Sequence, residues 1–158
     1  MSEKQVTLEE LMPLIREQLA GGQTVTFFPY GVSMLPLFRE GKDSVTLSSP
    51  PKKLKKYDIA LYRRQNGQYV LHRVARCGDT YTFIGDNQFV FEKNIQNEQI
   101  IAICTAFTRN GKRISANAFR WRLYAVLWGF LRPFRRVALG AWRRLAKILK
   151  KIKKAFHL

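Results

Sequence analysis

The chain has 158 residues, a net charge of +17 and only two cysteines, Cys77 and Cys104. Two cysteines exclude a disulfide framework or a cysteine-ligated metal cluster, and both are expected to be buried, inert thiols. The charge is uneven, because residues 117–158 hold 12 of the 28 basic residues and none of the 11 acidic ones. The sequence therefore predicts a folded domain at residues 1–116 and a basic segment at residues 117–158 that binds an anionic partner.

The first predicted element is a short amphipathic helix. Apolar residues with helical spacing run from Leu8 to Leu19, and Thr7 with Glu10 forms a capping pattern. Gly21 follows where the helix should end. The opening residues, MSEKQVTLEEL, lack the basic and apolar segments of a secretory signal, so export by that route is not expected.

The middle of the chain is expected to form strands. Stretches rich in β-branched and aromatic residues alternate with turn residues at 24–28, 44–47, 58–64, 68–75, 80–85 and 99–109. The pairs Asn66-Gly67 and Asn110-Gly111 are typical of tight hairpin turns. The predicted fold class is mainly β, a small curled antiparallel sheet or partial barrel with an N-terminal helix and a long C-terminal helical tail.

The basic segment at residues 117–158 has its own pattern. Apolar residues from Leu123 to Phe156 keep a spacing of three and four, with Arg and Lys on the opposite face. This predicts one or two long amphipathic helices with a kink or break at Pro133. The longest apolar run, LYAVLWGFL, is too short to span a bilayer.

The aromatic residues of this tail, including Trp121, Trp128 and Trp142, favour an anionic membrane surface as its partner. Nucleic acid is disfavoured, because phosphate binding has no use for so many apolar aromatic side chains. We expect peripheral association with the cytoplasmic membrane, on a side that the sequence leaves open. Packing of the helix on residues 1–116 or on another protein is the alternative.

A candidate nucleophile, Ser33, stands in the turn YGVSMLPLF directly behind the first predicted strand. Taken alone, a serine in a turn more often shapes the turn than attacks a substrate. Gly31 permits a positive φ and Pro36 restricts the exit, which together suit the presentation of a nucleophile. A serine hydroxyl needs a neighbouring base before it can attack.

His72 is the histidine that could supply this base, because His157 lies in the basic tail and is expected to face solvent or lipid. In YVLHRVA, strand alternation places His72 on the same face as Val70 and Val74. That position suits either a partly buried base or an ordinary core histidine.

The segments GVSMLPLFREGKDSV, KYDIALYRR, YVLHRV and FIGDNQFVFE, taken in order, resemble the sequence boxes of the signal peptidase and LexA-like serine peptidase superfamily. The resemblance covers about residues 24–108 and implies that Ser33 is the nucleophile. It also implies that His72 is the general base, as in the archaeal, endoplasmic-reticulum and sporulation-type signal peptidases. In that histidine branch an acidic residue orients the histidine, and either Asp86 or Glu92 could fill this position.

This resemblance implies a serine endopeptidase that cleaves signal-peptide-like or leader polypeptides through an acyl-enzyme at a membrane surface, without cofactor or metal. The chain departs from typical signal peptidases in having a short, soluble-looking helix, rather than a membrane anchor, before the serine box. The alternatives are a non-catalytic membrane-surface adaptor and a LexA-like protein that cleaves itself.

Overall fold

The computed structural model describes residues 8–135 and 137. Its elements in chain order are α1 (Leu8–Ala20), β1 (Val25–Phe27), β2 (Val45–Ser48), β3 (Ile59–Arg63), β4 (Tyr69–Arg76), β5 (Tyr81–Ile84), β6 (Glu92–Ile95), a 3-10 helix (Asn97–Gln99), β7 (Ile100–Arg109), β8 (Lys112–Ser115) and α2 (Phe119–Phe130). The predicted N-terminal helix is confirmed as α1, while its proposed cap, Thr7, lies outside the described residues.

The strands form one open antiparallel sheet in the order β1-β2-β7-β3-β4-β5-β6, with β8 paired to β7. The mainly β prediction is therefore confirmed, and each of the six predicted strand segments contains an observed strand. The strands β6 and β8 were not among those segments. The sequence of β6, EKNI, lacks the apolar alternation that marks a half-buried strand, because most of it faces solvent.

Both predicted hairpin turns are present. Gly67 connects β3 to β4 with a φ of +91°. Between β7 and β8, Asn110 and Gly111 have φ values of +50° and +72°, as the favoured two-residue hairpin turn requires. The first of these turns joins β3 to β4, the two strands whose register places His72 opposite Ala60.

The sheet buries apolar side chains on both faces. One cluster, which we call the helix-side core, joins α1 to the sheet through Met12, Ile15, Met34, Leu37, Phe38, Leu61 and Leu71. A second cluster, the far-side core, contains Leu54, Ala60, Tyr62, Val74, Tyr81, Phe83 and Ile95. Strand β4 therefore places Leu71 in the helix-side core and Val74 in the far-side core.

The two cysteines differ in environment. Cys104 is buried in β7, and burial raises the pKa of its thiol to about 12. Cys77 is exposed, so the expectation of two buried thiols is wrong for this residue. The reason is that β4 ends at Arg76, which leaves Cys77 in the turn that follows.

Helix α2 packs on the sheet instead of standing apart from it. The ring of Trp121 lies 5.1 Å from that of Phe107 on β7, and Ala125 is buried. The helix ends at Phe130, three residues before Pro133, at which the sequence predicts a kink or break. Residues 132–135 are helical again, whereas nearly all of the predicted helix beyond them falls outside the described residues.

Candidate active site

The loop between β1 and β2 carries Ser33. Three apolar residues just after the serine are buried in the helix-side core, namely Met34, Leu37 and Phe38. From the end of β7, Arg109 Nη1 donates to the carbonyl oxygens of Pro36 and Leu37, both at 2.8 Å. Gly31 has a φ of +95°, a conformation that glycine permits and that disfavours any residue with a side chain. The loop is thus held in one shape, with Ser33 half-buried.

A cleft of about 420 Å³ opens beside Ser33. Its walls come from α1, from the segment around residues 27–34 and from β4, and its apolar lining includes Leu8, Leu11, Phe27, Met34 and Leu71. An apolar cleft with a few polar groups at its edge is the usual form of a ligand-binding site. The lining of this cleft suits the apolar groups of a ligand.

His72 and Glu92 form a pair on the far side of the sheet. The side chain of His72 is 1% exposed, and its Nδ1 lies 3.1 Å from Glu92 Oε1. The hydroxyl of Tyr62 lies 3.3 Å from the same nitrogen. A carboxylate at this distance favours the tautomer with hydrogen on Nδ1, which leaves the lone pair on Nε2. The arrangement prepares Nε2 to accept a proton.

Arg64 holds Glu92 in place through two hydrogen bonds from its guanidinium, one of them 2.7 Å from Nε to Oε2. Partial burial raises the pKa of Glu92, but hydrogen bonds from Arg64, His72 and Tyr62 reverse this and hold the pKa well below its ordinary value. Glu92 is therefore an anion at neutral pH and can stabilise a positive charge on His72.

The lowered pKa of Glu92 predicts a pH-dependent contribution to stability. A carboxylate whose pKa is depressed by folding stabilises the fold above its unfolded pKa, ordinarily 4.5, and loses this contribution as pH falls below it. The difference in unfolding free energy between wild type and Glu92→Gln should therefore shrink as the pH falls from about 5 to about 2. Urea unfolding at each pH measures it, with the exposed Glu98→Gln variant as control. A difference that stays constant on acidification contradicts the prediction.

The second acidic candidate, Asp86, is engaged elsewhere. It is 0% exposed and accepts hydrogen bonds from Arg73 Nε and Nη2, both at 2.7 Å. Tyr124 of α2 donates a further bond to Asp86 Oδ2 at 3.2 Å. Of the two carboxylates that the sequence left open, Glu92 contacts His72 and Asp86 pairs with Arg73.

The turn that contains Asp86 supports the serine loop. The backbone N–H of Asn87 donates to the carbonyl oxygen of Ser33 at 2.8 Å, and Asn87 Nδ2 donates to that of Val32 at 3.1 Å. Gly85 leaves the space for this contact, because a Cβ atom there would lie 2.6 Å from the Ser33 oxygen. The close approach of two backbone segments explains why glycine stands at this position.

Gly85→Ala is consequently expected to displace the serine loop. The clash is with a backbone atom, so rotation of a side chain cannot relieve it, and a loss of about 1–3 kcal/mol in unfolding free energy is expected. Denaturant unfolding should show this loss, accompanied by reduced activity. The exposed Gly78→Ala variant is the control, since a Cβ there would meet only a backbone oxygen at 3.7 Å. Equal stability of the two variants would refute the tight contact.

Strand register brings the serine loop close to His72. Strands β4 and β5 pair Arg73 with Ile84, so the same register continued by one residue sets Gly85 beside His72. Ser33 packs against Gly85 through its carbonyl oxygen. Within residues 8–135 and 137, however, the side-chain partners of His72 are Glu92 and Tyr62, and Ser33 is not among them.

Several residues of this site were not identified as site residues from the sequence. Arg64 and Tyr62 surround Glu92 and His72, while Asn87 and Gly85 support Ser33. The segment IGDNQ, which contains Gly85 and Asn87, was a recognisable signal. Arg64 and Tyr62 gave none, because their role depends on β3 lying next to β4.

Helix α2 and the helical residues 132–135 after it also contact the turn that contains Asp86. Trp128 Nε1 donates to the Asp86 carbonyl oxygen at 2.8 Å, and Arg135 Nη2 donates to the same oxygen at 2.9 Å. The basic segment at residues 117–158 therefore begins as part of the site's framework. Its inward side chains, Trp121 and Trp128, pack on the domain, whereas the sequence suggested a membrane-facing role for them.

The described residues contain no cluster of histidine, cysteine or acidic side chains that could hold a metal ion. Within the same part of the chain, every helix is too short or too polar to cross a bilayer. Comparison with known protein families, curated proteins and solved structures finds no match to this chain.

Proposed function

We propose that the protein is a serine endopeptidase in which Ser33 is the nucleophile, His72 the general base and Glu92 the residue that orients His72. The observation that carries this proposal is the 3.1 Å contact between Nδ1 of the buried His72 and the half-buried Glu92, next to a turn that supports the serine loop. A nucleophile, a base and a group that orients the base are the parts that serine peptidases require. The order of the sequence boxes, which resembles the histidine branch of the signal peptidases, supports the same assignment.

In the proposed reaction, His72 Nε2 takes the proton of Ser33 Oγ as that oxygen attacks a peptide carbonyl. Glu92 stabilises the imidazolium that forms, and His72 then gives its proton to the departing amine. Backbone N–H groups near Ser33 would hold the oxyanion of the tetrahedral intermediate. Water releases the acyl group from Ser33 with His72 again acting as base. Because no hydrogen bond joins Ser33 to His72 in the described chain, the serine side chain must approach His72 when substrate binds.

The substrate class follows from the cleft beside Ser33. Its lining is predominantly apolar, which favours a polypeptide segment with apolar residues close to the cleavage point. Signal-peptide-like and leader sequences have this character. Cleavage of the protein's own chain, as in LexA-like proteins, uses the same chemistry and would appear as a shortened form of the protein itself.

Peripheral binding to an anionic membrane is the second part of the proposal. The side of α2 that faces away from the sheet, together with the residues just after it, exposes large apolar side chains, including Phe119, Leu123, Leu127, Phe130 and Phe134. Exposed apolar patches of this kind mark interaction surfaces. The 12 basic residues of the segment 117–158 complement anionic lipid headgroups, and the exposed aromatic rings suit the membrane interface.

One observation favours a non-catalytic adaptor as the rival function. The side chain of His72 is almost completely buried and has no hydrogen bond to Ser33 in the described chain. Such a histidine could serve only to hold β4 against its neighbours. An adaptor would act through its membrane-binding and polypeptide-binding surfaces, and replacement of Ser33 would leave its behaviour unchanged.

A comparison of protein N-termini tests the peptidase against the adaptor. Host cells that express wild type are compared by mass spectrometry with cells that express Ser33→Ala, which requires no assumption about substrate. We expect new N-termini that are absent with Ser33→Ala, and their sequences define the cleavage rule. Ser48→Ala, a serine substitution away from the cleft, is the control. Identical N-termini in all three cultures, at equal protein levels, would favour the adaptor.

A further inference from the structure

Near the Asp86 turn, the positive charges of Arg73, Arg132 and Arg135 outnumber the negative charge of Asp86. Both oxygens of the Asp86 carboxylate bind Arg73, and Arg135 donates instead to the backbone carbonyl of Asp86. The guanidinium of Arg132 lies over the ring of Phe91, 5.5 Å from its centroid. That of Arg135 lies 3.7 Å from the ring centroid of Trp128. These contacts hold Arg132 and Arg135 in place without neutralising them.

Two guanidinium nitrogens of this pair are buried without a hydrogen-bond partner in the described chain, Arg132 Nε and Arg135 Nη1. Buried donors are nearly always satisfied in folded proteins, so two unsatisfied ones, three residues apart in one helical segment, leave room for acceptor atoms that a ligand could supply. Burial lowers the pKa of both guanidinium groups, and the negative charge of Asp86 offsets this only in part. An anion bound here would supply both the missing acceptor atoms and the missing negative charge.

We propose that Arg132 and Arg135, in the helical segment that follows α2, form a binding site for a phosphate-type oxyanion next to the Asp86 turn. Arginine favours such a ligand, because its planar fork of N–H donors matches two phosphate oxygens at once. The same stretch exposes apolar side chains next to these arginines, with Phe130 71% and Phe134 63% exposed. A phosphate with acyl chains attached, the headgroup of an anionic lipid, would use both features.

The phosphate could also come from a soluble compound, and the chemistry of recognition would be the same. The lipid source rests on the membrane association proposed above, whereas binding of free phosphate does not. Because Arg135 also contacts the Asp86 carbonyl, ligand at this site lies one hydrogen bond from the turn that supports Ser33.

The test uses the full chain and the double variant Arg132→Gln/Arg135→Gln. Its matched control is Lys112→Gln/Arg113→Gln, which removes two charges from exposed positions on β8. Binding to phosphatidylcholine vesicles that contain phosphatidylglycerol is measured by co-sedimentation. A parallel titration with inorganic phosphate, at constant ionic strength in chloride, is followed by tryptophan fluorescence, since Trp128 contacts Arg135.

We expect the Arg132→Gln/Arg135→Gln protein to bind the vesicles at least about tenfold more weakly than the control. Both double variants lose two positive charges, but only this one also loses charge-assisted hydrogen bonds to the phosphate. Equal weakening in both double variants would overturn the site while leaving membrane association intact. If wild type fails to bind vesicles, the membrane proposal fails and the phosphate titration decides. A fluorescence change that requires both arginines supports a site for free phosphate, and its absence overturns the site.

A further variant separates binding from folding. Arg132→Lys/Arg135→Lys keeps both charges but loses the planar fork, and it should bind with intermediate strength. Thermal unfolding of each protein shows whether the fold persists. If the lysine pair folds and binds as tightly as wild type, the site as proposed is refuted.

Discussion

Replacement of His72 by alanine is expected to lower the rate of peptide cleavage by about 10⁴–10⁶-fold, because without a base Ser33 cannot lose its proton during attack. Glu92→Gln should lower the rate by on the order of 10⁴-fold, since an amide can present its N–H to the imidazole and favour the wrong tautomer. The contact at 3.1 Å between His72 Nδ1 and Glu92 Oε1 is the basis of both expectations.

The measurement is the steady-state rate on a peptide that spans a cleavage site found by the N-terminal comparison. His157→Ala, which replaces the other histidine, is the control and should retain wild-type activity. Combining Ser33→Ala with His72→Ala should cost little more than either change alone, because the two residues act as a unit. Wild-type rates in the Glu92→Gln protein would remove Glu92 from the site.

Asp86→Asn is expected to have the largest effect on stability, a loss of about 3–5 kcal/mol in unfolding free energy. Asp86 is completely buried, and its two carboxylate oxygens accept bonds from Arg73, which is itself 6% exposed. An asparagine would leave the charge of Arg73 buried without a counterion. The loss should also loosen the turn that supports Ser33 and the contact with α2.

Denaturant unfolding measures this loss, with the exposed Asp79→Asn as a control for the same chemical change. The double variant Arg73→Met/Asp86→Leu should recover part of the stability, because it removes both charges together. If Asp86→Asn is as stable as Asp79→Asn, the ion pair contributes nothing to the fold.

Short patterns in the sequence were sufficient to predict several local features of the fold. Strand alternation in YVLHRVA placed His72 on the same strand face as Val74, as observed. The pairs Asn66-Gly67 and Asn110-Gly111 predicted the two hairpin turns, and Gly31 permits the positive φ that is observed before Ser33. These features depend on residues close together in the chain, so their physical causes can be read from short segments.

The tertiary structure decided which acidic residue reaches His72. Both carboxylates follow β5 within a few residues, and their spacing in the chain does not tell them apart. Glu92 begins β6, a mostly exposed strand without apolar alternation, and it reaches His72 because β6 pairs with β5 and Arg64 holds its carboxylate. Asp86 pairs with Arg73, which lies next to His72 on β4 and points to the opposite face of the sheet.

The same distinction holds for α2. Its sequence predicted a basic helix rich in aromatic residues, but the apolar periodicity did not show which side of the helix faces the sheet. Contacts with Phe107 and Asp86 turn Trp121 and Trp128 inward and leave Phe130 outside. Which residues are buried depends on the surface that an element meets, and segments distant in the chain form that surface.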